Sequence, residues 1–258
     1  MNKELKQHLI LALDKQVRYD GRKDKLAYRD IKVKTGISVN AEGSAEVTLG
    51  KTRVYAGVKM AIEEPFPDKP DNGMLMVGAE LLPLSNPNFE SGPPGIWATE
   101  IARVVDRGIR ESGLIDLPTL CLEPGKKVWA VLIDIVTIND EGNLLDAAAL
   151  AVYAALQNTV FPKFDGETVE YGVKTDKKLP LNDKKPIAVT VYKVANHFFV
   201  DPNTDEEKAY DARLTVVTSD DNTICAMQKG GETPLTQKEV EDMVGIAMDK
   251  GKELRKLV

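Results

Sequence analysis

Arg103, Arg107 and Arg110 stand four and three residues apart in the segment ATEIARVVDRGIRES. At helical spacing they share one face, and guanidinium groups in a row suit the oxygens of a phosphodiester backbone. The same segment carries Glu100 and Asp106, three residues before Arg103 and four before Arg110. Those spacings also suit ordinary surface ion pairs, Glu100 with Arg103 and Asp106 with Arg110. By residue type alone, the row is either a solvated helix face or a stripe for RNA or DNA phosphates.

Residues 128–156 bear on anion chemistry in a different way. VWAVLIDIVTI (128–138) is apolar on both faces, as a strand in the middle of a sheet would be. Asn139-Asp140-Glu141-Gly142-Asn143 is a cluster of turn formers, and LLDAAALAVYAAL (144–156) is apolar nearly all round, which suits a buried helix. A strand, a tight turn and a helix start commonly bind anions, because the first N–H groups of a helix are free and its dipole is positive there. Here the turn carries Asp140, Glu141 and, just inside the helix, Asp146, with no Arg, Lys, Ser or Thr among them. The scaffold of a phosphate site is present and its chemistry is missing.

Other constellations are weaker. Asp201, Asn203, Asp205, Glu206 and Glu207 open like a calcium loop, but the sixth position is Glu206 in place of Gly and the twelfth is Ala212 in place of Glu. The loop reads as a solvated turn, with magnesium binding or acid–base work as the alternative use of its carboxylates. The two histidines, His8 and His197, lie in a helical stretch and an apolar strand, where structural or surface roles are expected. No serine elbow accompanies them, and no Cys or His pair has zinc spacing, so no metal is expected. Gly50-Lys51-Thr52 suggests a P-loop, but the required earlier glycine is Ala45 and the segment runs from strand to strand.

The elements that must position these residues follow from periodicity. Leu5, Leu9, Leu13 and Val17 predict an N-terminal helix over 2–18, followed by a turn at Tyr19-Asp20-Gly21-Arg22. Strands are expected at 31–39, 45–49 and 53–60, the last two as a hairpin through Gly50-Lys51. The strand MLMVGAELLPL lies between two Pro/Gly loops, EEPFPDKPDNG and SNPNFESGPPG, long enough to act as functional lips. The arginine helix spans 98–112. Residues 162–186 are polar and rich in Lys, Asp and Pro, and read as a connection with at most one short strand. Strands at 187–194, 197–200, 213–218 and 224–228 then precede a final helix. Thr236 and Glu239 mark its start as a capping box, and Val240, Met243, Val244, Ala247, Met248 and Leu254 form its apolar stripe. Strands precede helices in both parts, so the fold class is α+β: two related units, 1–185 with the N-terminal helix and 186–258.

The bulk composition fits this. The 258 residues are 43% hydrophobic and 29% charged, as in a soluble globular protein. No apolar run approaches the roughly 18 residues that span a bilayer, and the charged N-terminus does not read as a signal peptide. Cys121 and Cys225 read as reduced, buried thiols of a cytoplasmic protein. A net charge of −6 argues against coating nucleic acid unaided, so any such contact is local or shared with a partner.

Several longer stretches, in order along nearly the whole chain, resemble the RNase PH family. They are Tyr19-Asp-Gly-Arg-Lys, Gly43-Ser44, ELLPL (80–84), FESGPP (89–94), ARVVDRGIRESG (102–113), EPGKKVW (123–129), EGNLLDA (141–147), KLPLN (178–182), VDPNTDEE (200–207) and MQKGG (227–231). Within the family the chain is most similar to the subunits of the archaeal exosome that lack activity. Active members hold phosphate on a turn ending Gly-Thr-Arg, where this chain has Asn143-Leu144-Leu145. They carry an Ala-Asp pair after the acidic loop, where this chain has Ala212-Arg213. Leucine cannot replace a charge-assisted Arg–phosphate contact, so the resemblance implies a subunit with no catalytic residues and no cofactor.

The resemblance further implies an RNase PH-like fold and a place beside a catalytic RNase PH-like paralogue. Three such pairs would close a ring of six that degrades single-stranded RNA 3′→5′ with phosphate, under a cap of RNA-binding subunits, in the cytoplasm. Arg103 and Arg107 match arginines that reach RNA at the subunit interface; nothing carries over to Arg110. The rival expectation is a chain that is itself an active phosphate-dependent exoribonuclease.

Overall fold

The computed structural model describes residues 3–258. Helix α1 (Lys3–Asp14) opens the chain, and the expected start at Asn2 falls outside the described residues. Gln16, at φ 55°, breaks the helical path, so Val17 lies past the helix and is exposed. Leu9 and Leu13 are buried in a small cluster with Tyr192, Val194, Phe199 and Ala209, so this helix packs on the far end of the chain.

Strands β1 (Ile31–Thr35), β2 (Gly43–Leu49) and β3 (Thr52–Glu63) run antiparallel. The expected hairpin is present, with Leu49 opposite Thr52 across Gly50-Lys51. β1 stops at Thr35 rather than at 39, where Val39 faces solvent. β4 (Met74–Leu81), helix α2 (Ile96–Ser112), the short β5 (Cys121–Glu123) and β6 (Lys127–Asn139) follow. The sheet order is β1-β2-β3-β6-β4, with β5 also on β6 and only β4 parallel to its neighbour. β6 is central, as its apolar run predicts. It is closed on both faces only from Val128 to Val131; from Leu132 burial alternates, because the helices cover one face of this sheet.

Helix α3 (Leu144–Gln157) is buried on nearly every side. It packs on β2 and β3 and, from its other side, on β9 (Ile187–Val194). Between α3 and β9 the structure has a two-stranded ribbon, β7 (Val160–Phe164) and β8 (Val169–Lys178), where the sequence predicts little more than a connection. Its polar composition reflects exposure of both faces of β8.

The second sheet has the order β10-β9-β11-β12, from β10 (His197–Val200), β11 (Ala212–Thr218) and β12 (Ile224–Gly230). Helix α4 (Thr204–Glu207) is a single turn between β10 and β11. Helix α5 (Gln237–Leu254) starts at the expected capping box and buries Met243, Ala247 and Leu254. Every residue of β11 and nearly every residue of β9 is buried, because α2 and α3 cover one face of this sheet and α5 the other. One apolar core joins Val131 and Leu145 to Val189, Leu214 and Met243, so residues on both sides of position 185 share it. The anticipated α+β architecture is thus observed, with α2 and α3 as a helical layer between two sheets.

Candidate nucleic-acid interface

Helix α2 buries Ile101, Ala102, Val104, Val105 and Ile109, and Gly113 ends it in the left-handed conformation. That leaves Arg103 and Arg107 exposed on the opposite face, one turn apart. Neither forms a hydrogen bond or ion pair with any described residue. Of the two ion pairs the spacing suggests, one forms: Asp106 accepts from Arg110 at 3.0 and 2.7 Å. The other does not: Glu100, beside Arg103 in the same groove, accepts instead from Arg213 Nη2 at 2.7 Å. Both free arginines line two grooves flanking α2. One, of about 380 Å³, lies against β11 and β12 and includes Thr215, Met227 and Gln228. The other, of about 360 Å³, lies against β4 and includes Gly78, Ala98 and Ala102.

Arg213, expected where active relatives carry an aspartate, enters from β11 and is only 4% exposed. Its guanidinium lies over Trp97 at 5.1 Å from the ring centroid and against the bare backbone of Gly230. A Cβ at that glycine would stand 2.6 Å from Arg213 Cζ, so any side chain there would push the guanidinium from this position.

The start of α3 faces the chain's own carboxylates. Asn143, at φ 60°, precedes the helix, and its N–H donates to Glu207 Oε1 at 2.8 Å. Its Nδ2 donates to Asp146 at 3.1 Å and to Asp201 at 3.2 Å. Tyr28 Oη donates to Asp146 at 2.7 Å. Burial pushes the Asp146 carboxyl up to about 6, against the hydrogen bonds that favour its charge. Burial likewise pushes Glu207 up to about 7, opposed by the Asn143 N–H and helped by the nearby Asp140 charge. Leu144 and Leu145 point into the core and are 2% and 1% exposed. A phosphate brought to this helix start would meet Glu207 and Asp201 and find neither hydroxyl nor guanidinium from Leu144 or Leu145.

The acidic loop is not the solvated turn its composition suggests. Asp201 and Glu206 are fully buried. Arg18 donates to Glu206 Oε1 at 2.7 Å and to the carbonyls of Val200 and Asp201 at 3.0 Å. Arg22 and Arg29 reach the Asp201 carboxylate at 3.0 and 2.7 Å. Arg29 also donates to the carbonyls of Glu141 and Gly142, at 2.7 and 3.1 Å, which clamps the loop onto the turn before α3. Gly142 lies at φ 91° with Pro202 O only 2.5 Å from where a Cβ would sit. Sequence reading missed these arginines because it weighed the carboxylates alone. The available signal was three arginines between 18 and 29, flanking a predicted turn.

The remaining chemistry-bearing residues are placed simply. His8 is exposed, and His197 Nε2 lies 2.9 Å from Asp14 Oδ1. Cys121 and Cys225 are free thiols, half-buried rather than buried. Among the described residues no group of three or more His, Cys, Asp or Glu side chains is arranged to hold a metal ion, and no helix is long and apolar enough to cross a membrane.

Comparison with known proteins is consistent along the chain. Residues 27–162 match the model of the 3′ exoribonuclease family, domain 1, and residues 185–250 match domain 2. The chain is 43% identical to the exosome complex component Rrp42 of Methanosarcina acetivorans over 252 residues, 98% of this chain and 92% of that one. A chain in a solved Archaeoglobus fulgidus exosome with RNA bound to the active site superposes with a TM-score of 0.90, at 42% identity, covering 98% of this chain and 97% of the other. A chain of an archaeal exosome core superposes at 0.86, with 38% identity and coverage of 98% and 95%.

Proposed function

Because the chain belongs to the RNase PH family of 3′ exoribonucleases, we propose that it is the non-catalytic RNase PH-like subunit of an archaeal exosome core. In this reading it pairs with a catalytic RNase PH-like paralogue, three pairs close a ring of six, and RNA-binding cap subunits sit on one face. The ring degrades single-stranded RNA 3′→5′ with phosphate in the cytoplasm. This chain shapes the neighbouring active site and holds the RNA through Arg103 and Arg107. The reading divides the chain into units 1–185 and 186–258; the first family match ends at 162 and the second begins at 185. The relatives, an exosome component and chains of exosome cores, support the assembly.

The observation that carries the RNA role is that Arg103 and Arg107 stand one turn apart, exposed and without a carboxylate partner, beside two grooves. An acidic chain is a poor free RNA binder, but two unpaired guanidinium groups beside a channel act locally. Lack of catalysis is supported by the start of α3, where buried leucines and an internal carboxylate occupy the region in which phosphate would be held.

The test is co-expression with the catalytic paralogue, followed by mass measurement and an RNA decay assay with phosphate and magnesium. The expected result is a six-membered assembly that releases nucleoside diphosphates, with none released by this chain alone. Phosphorolysis by the isolated chain would sink the non-catalytic reading.

A further inference from the structure

On α2, two carboxylates lie within reach of Arg103: Glu100, three residues before it, and Asp106, three residues after it. At such spacings an exposed arginine ordinarily pairs with one or the other. Here both are engaged elsewhere. Asp106 is held in a two-pronged contact by Arg110, which also donates to the Leu75 carbonyl at 3.0 Å. Glu100 is held by Arg213 at 2.7 Å. Glu111, four residues after Arg107, is exposed and makes no ion pair with it.

The two engaged carboxylates differ in what holds them. Arg110 is a neighbour on the same helix. Arg213 comes from the other sheet and is almost fully buried between Trp97 and Gly230, with its Nη1 buried and without an acceptor. Such a guanidinium is costly to bury, and its one carboxylate partner among the described residues is Glu100. The pair therefore holds strongly in one direction: the buried cation fixes the carboxylate, which stays partly exposed in the groove that Arg103 and Arg107 also line but is taken up by Arg213.

We propose that Arg213 is a positioning residue for RNA capture, which sequesters Glu100 and thereby keeps Arg103 free to meet a phosphate. The inference rests on the RNA-contact reading of Arg103 and Arg107. Without Arg213, Glu100 is released within reach of Arg103. The arginine then has to break an ion pair before it can bind RNA. The lost contact corresponds to about one phosphate, or about 0.7 in the salt slope for a single strand and about fivefold in affinity near 0.1 M salt.

The test uses rings reconstituted with the catalytic paralogue and a labelled single-stranded oligoribonucleotide, titrated at several salt concentrations. Arg213→Met is expected to weaken binding about fivefold and to lower the salt slope by about 0.7. Adding Glu100→Gln to that variant is expected to restore both, a rescue that a merely structural role of Arg213 would not give. Binding unchanged in Arg213→Met, or a loss that Glu100→Gln does not relieve, overturns the proposal. Where Arg213→Met does not assemble, Arg213→Lys serves. Its ammonium has no planar stack on Trp97, so an about twofold loss relieved by Glu100→Gln is expected, and an unrelieved or absent loss overturns the proposal. The double reversal Arg103→Glu/Arg107→Glu separates the two levels. If it leaves binding intact, the RNA-contact reading itself fails; if it weakens binding while Arg213→Met does not, only the positioning role fails.

Discussion

Glu207 Oε1 accepts the backbone N–H of Asn143 at 2.8 Å, so the start of the central helix is met by the chain's own carboxylate. Tyr192 Oη donates to the same oxygen at 3.0 Å. The helix start is closed by a carboxylate from the loop between β10 and β11. The arrangement has a thermodynamic signature, because this acid is held in a site that resists its charge.

The Glu207 carboxyl is raised from its ordinary value to about 7, and Asp146 beside it to about 6. An acid with a raised value binds its proton more tightly in the folded than in the unfolded state. Its contribution is therefore fully present below the ordinary carboxyl range and is lost as pH rises through about 7. We expect stability to fall between about pH 5 and pH 8 by up to about 3 kcal/mol from Glu207. Glu207→Gln keeps an acceptor for Asn143 and Tyr192 and removes the titration, so its urea midpoints across that range are expected to be flatter than the parent's. An unchanged pH slope would show that Glu207 does not titrate there.

The arginine clamp gives a second expectation. Asp201 is fully buried and binds Arg22 and Arg29, while Arg18 holds Glu206 next to it. Asp201→Asn keeps the shape and leaves buried guanidinium charge without its counter-charge, a change that costs about 3–5 kcal/mol. Asp20→Asn, which touches Arg22 from a more exposed position, is expected to cost about 1 kcal/mol or less. Chemical denaturation of the two variants measures the difference, and similar midpoints would mean the clamp is not a stabilising centre.

Much of this was legible in the sequence, and the parts that were not share a cause. The 3.6-residue period located α2 and α5, the all-round apolar run 144–156 located α3, and turn chemistry located the β2–β3 hairpin, because those signals are local. Thr236 and Glu239 are three residues apart, so the capping box could be read directly. The clamp could not, because Arg18 and Glu206 are brought together only by the fold. The partners of Arg103 failed in the same way: spacing offered Glu100, and a buried arginine from another sheet took it. The β7–β8 ribbon was missed because both faces of β8 are wet, which removes the alternation that marks a strand.

On the resemblance to active family members, Leu145 stands where they carry an arginine, and its environment decides what an arginine there would do. The side chain is 1% exposed and packed in the main core, so Leu145→Arg buries a charge among apolar groups. We expect no phosphate-dependent RNA cleavage from this variant and a loss of stability of about 3 kcal/mol or more. A thermal melt and an assay for nucleoside diphosphates check both. Measurable phosphorolysis would mean that the core accommodates the guanidinium and that no carboxylate at the Arg213 position is needed.

Charge reversal on α2 tests the exposed face without touching the core. Arg103 and Arg107 are exposed and unpaired, so Arg103→Glu/Arg107→Glu is expected to leave folding and ring assembly intact and stability within about 0.5 kcal/mol of the parent. RNA capture should suffer in a defined way. Removing two phosphate contacts lowers the salt slope by about 1.4 for a single strand, and the new carboxylates add repulsion to that loss. Affinity near 0.1 M salt should therefore fall at least about twentyfold, with the deficit shrinking as salt rises. A loss that is independent of salt would point to altered packing of α2 against β4 and β12 rather than to lost phosphate contacts. Normal capture and decay by intact rings would remove RNA contact from the role of this helix, leaving α2 as an assembly element.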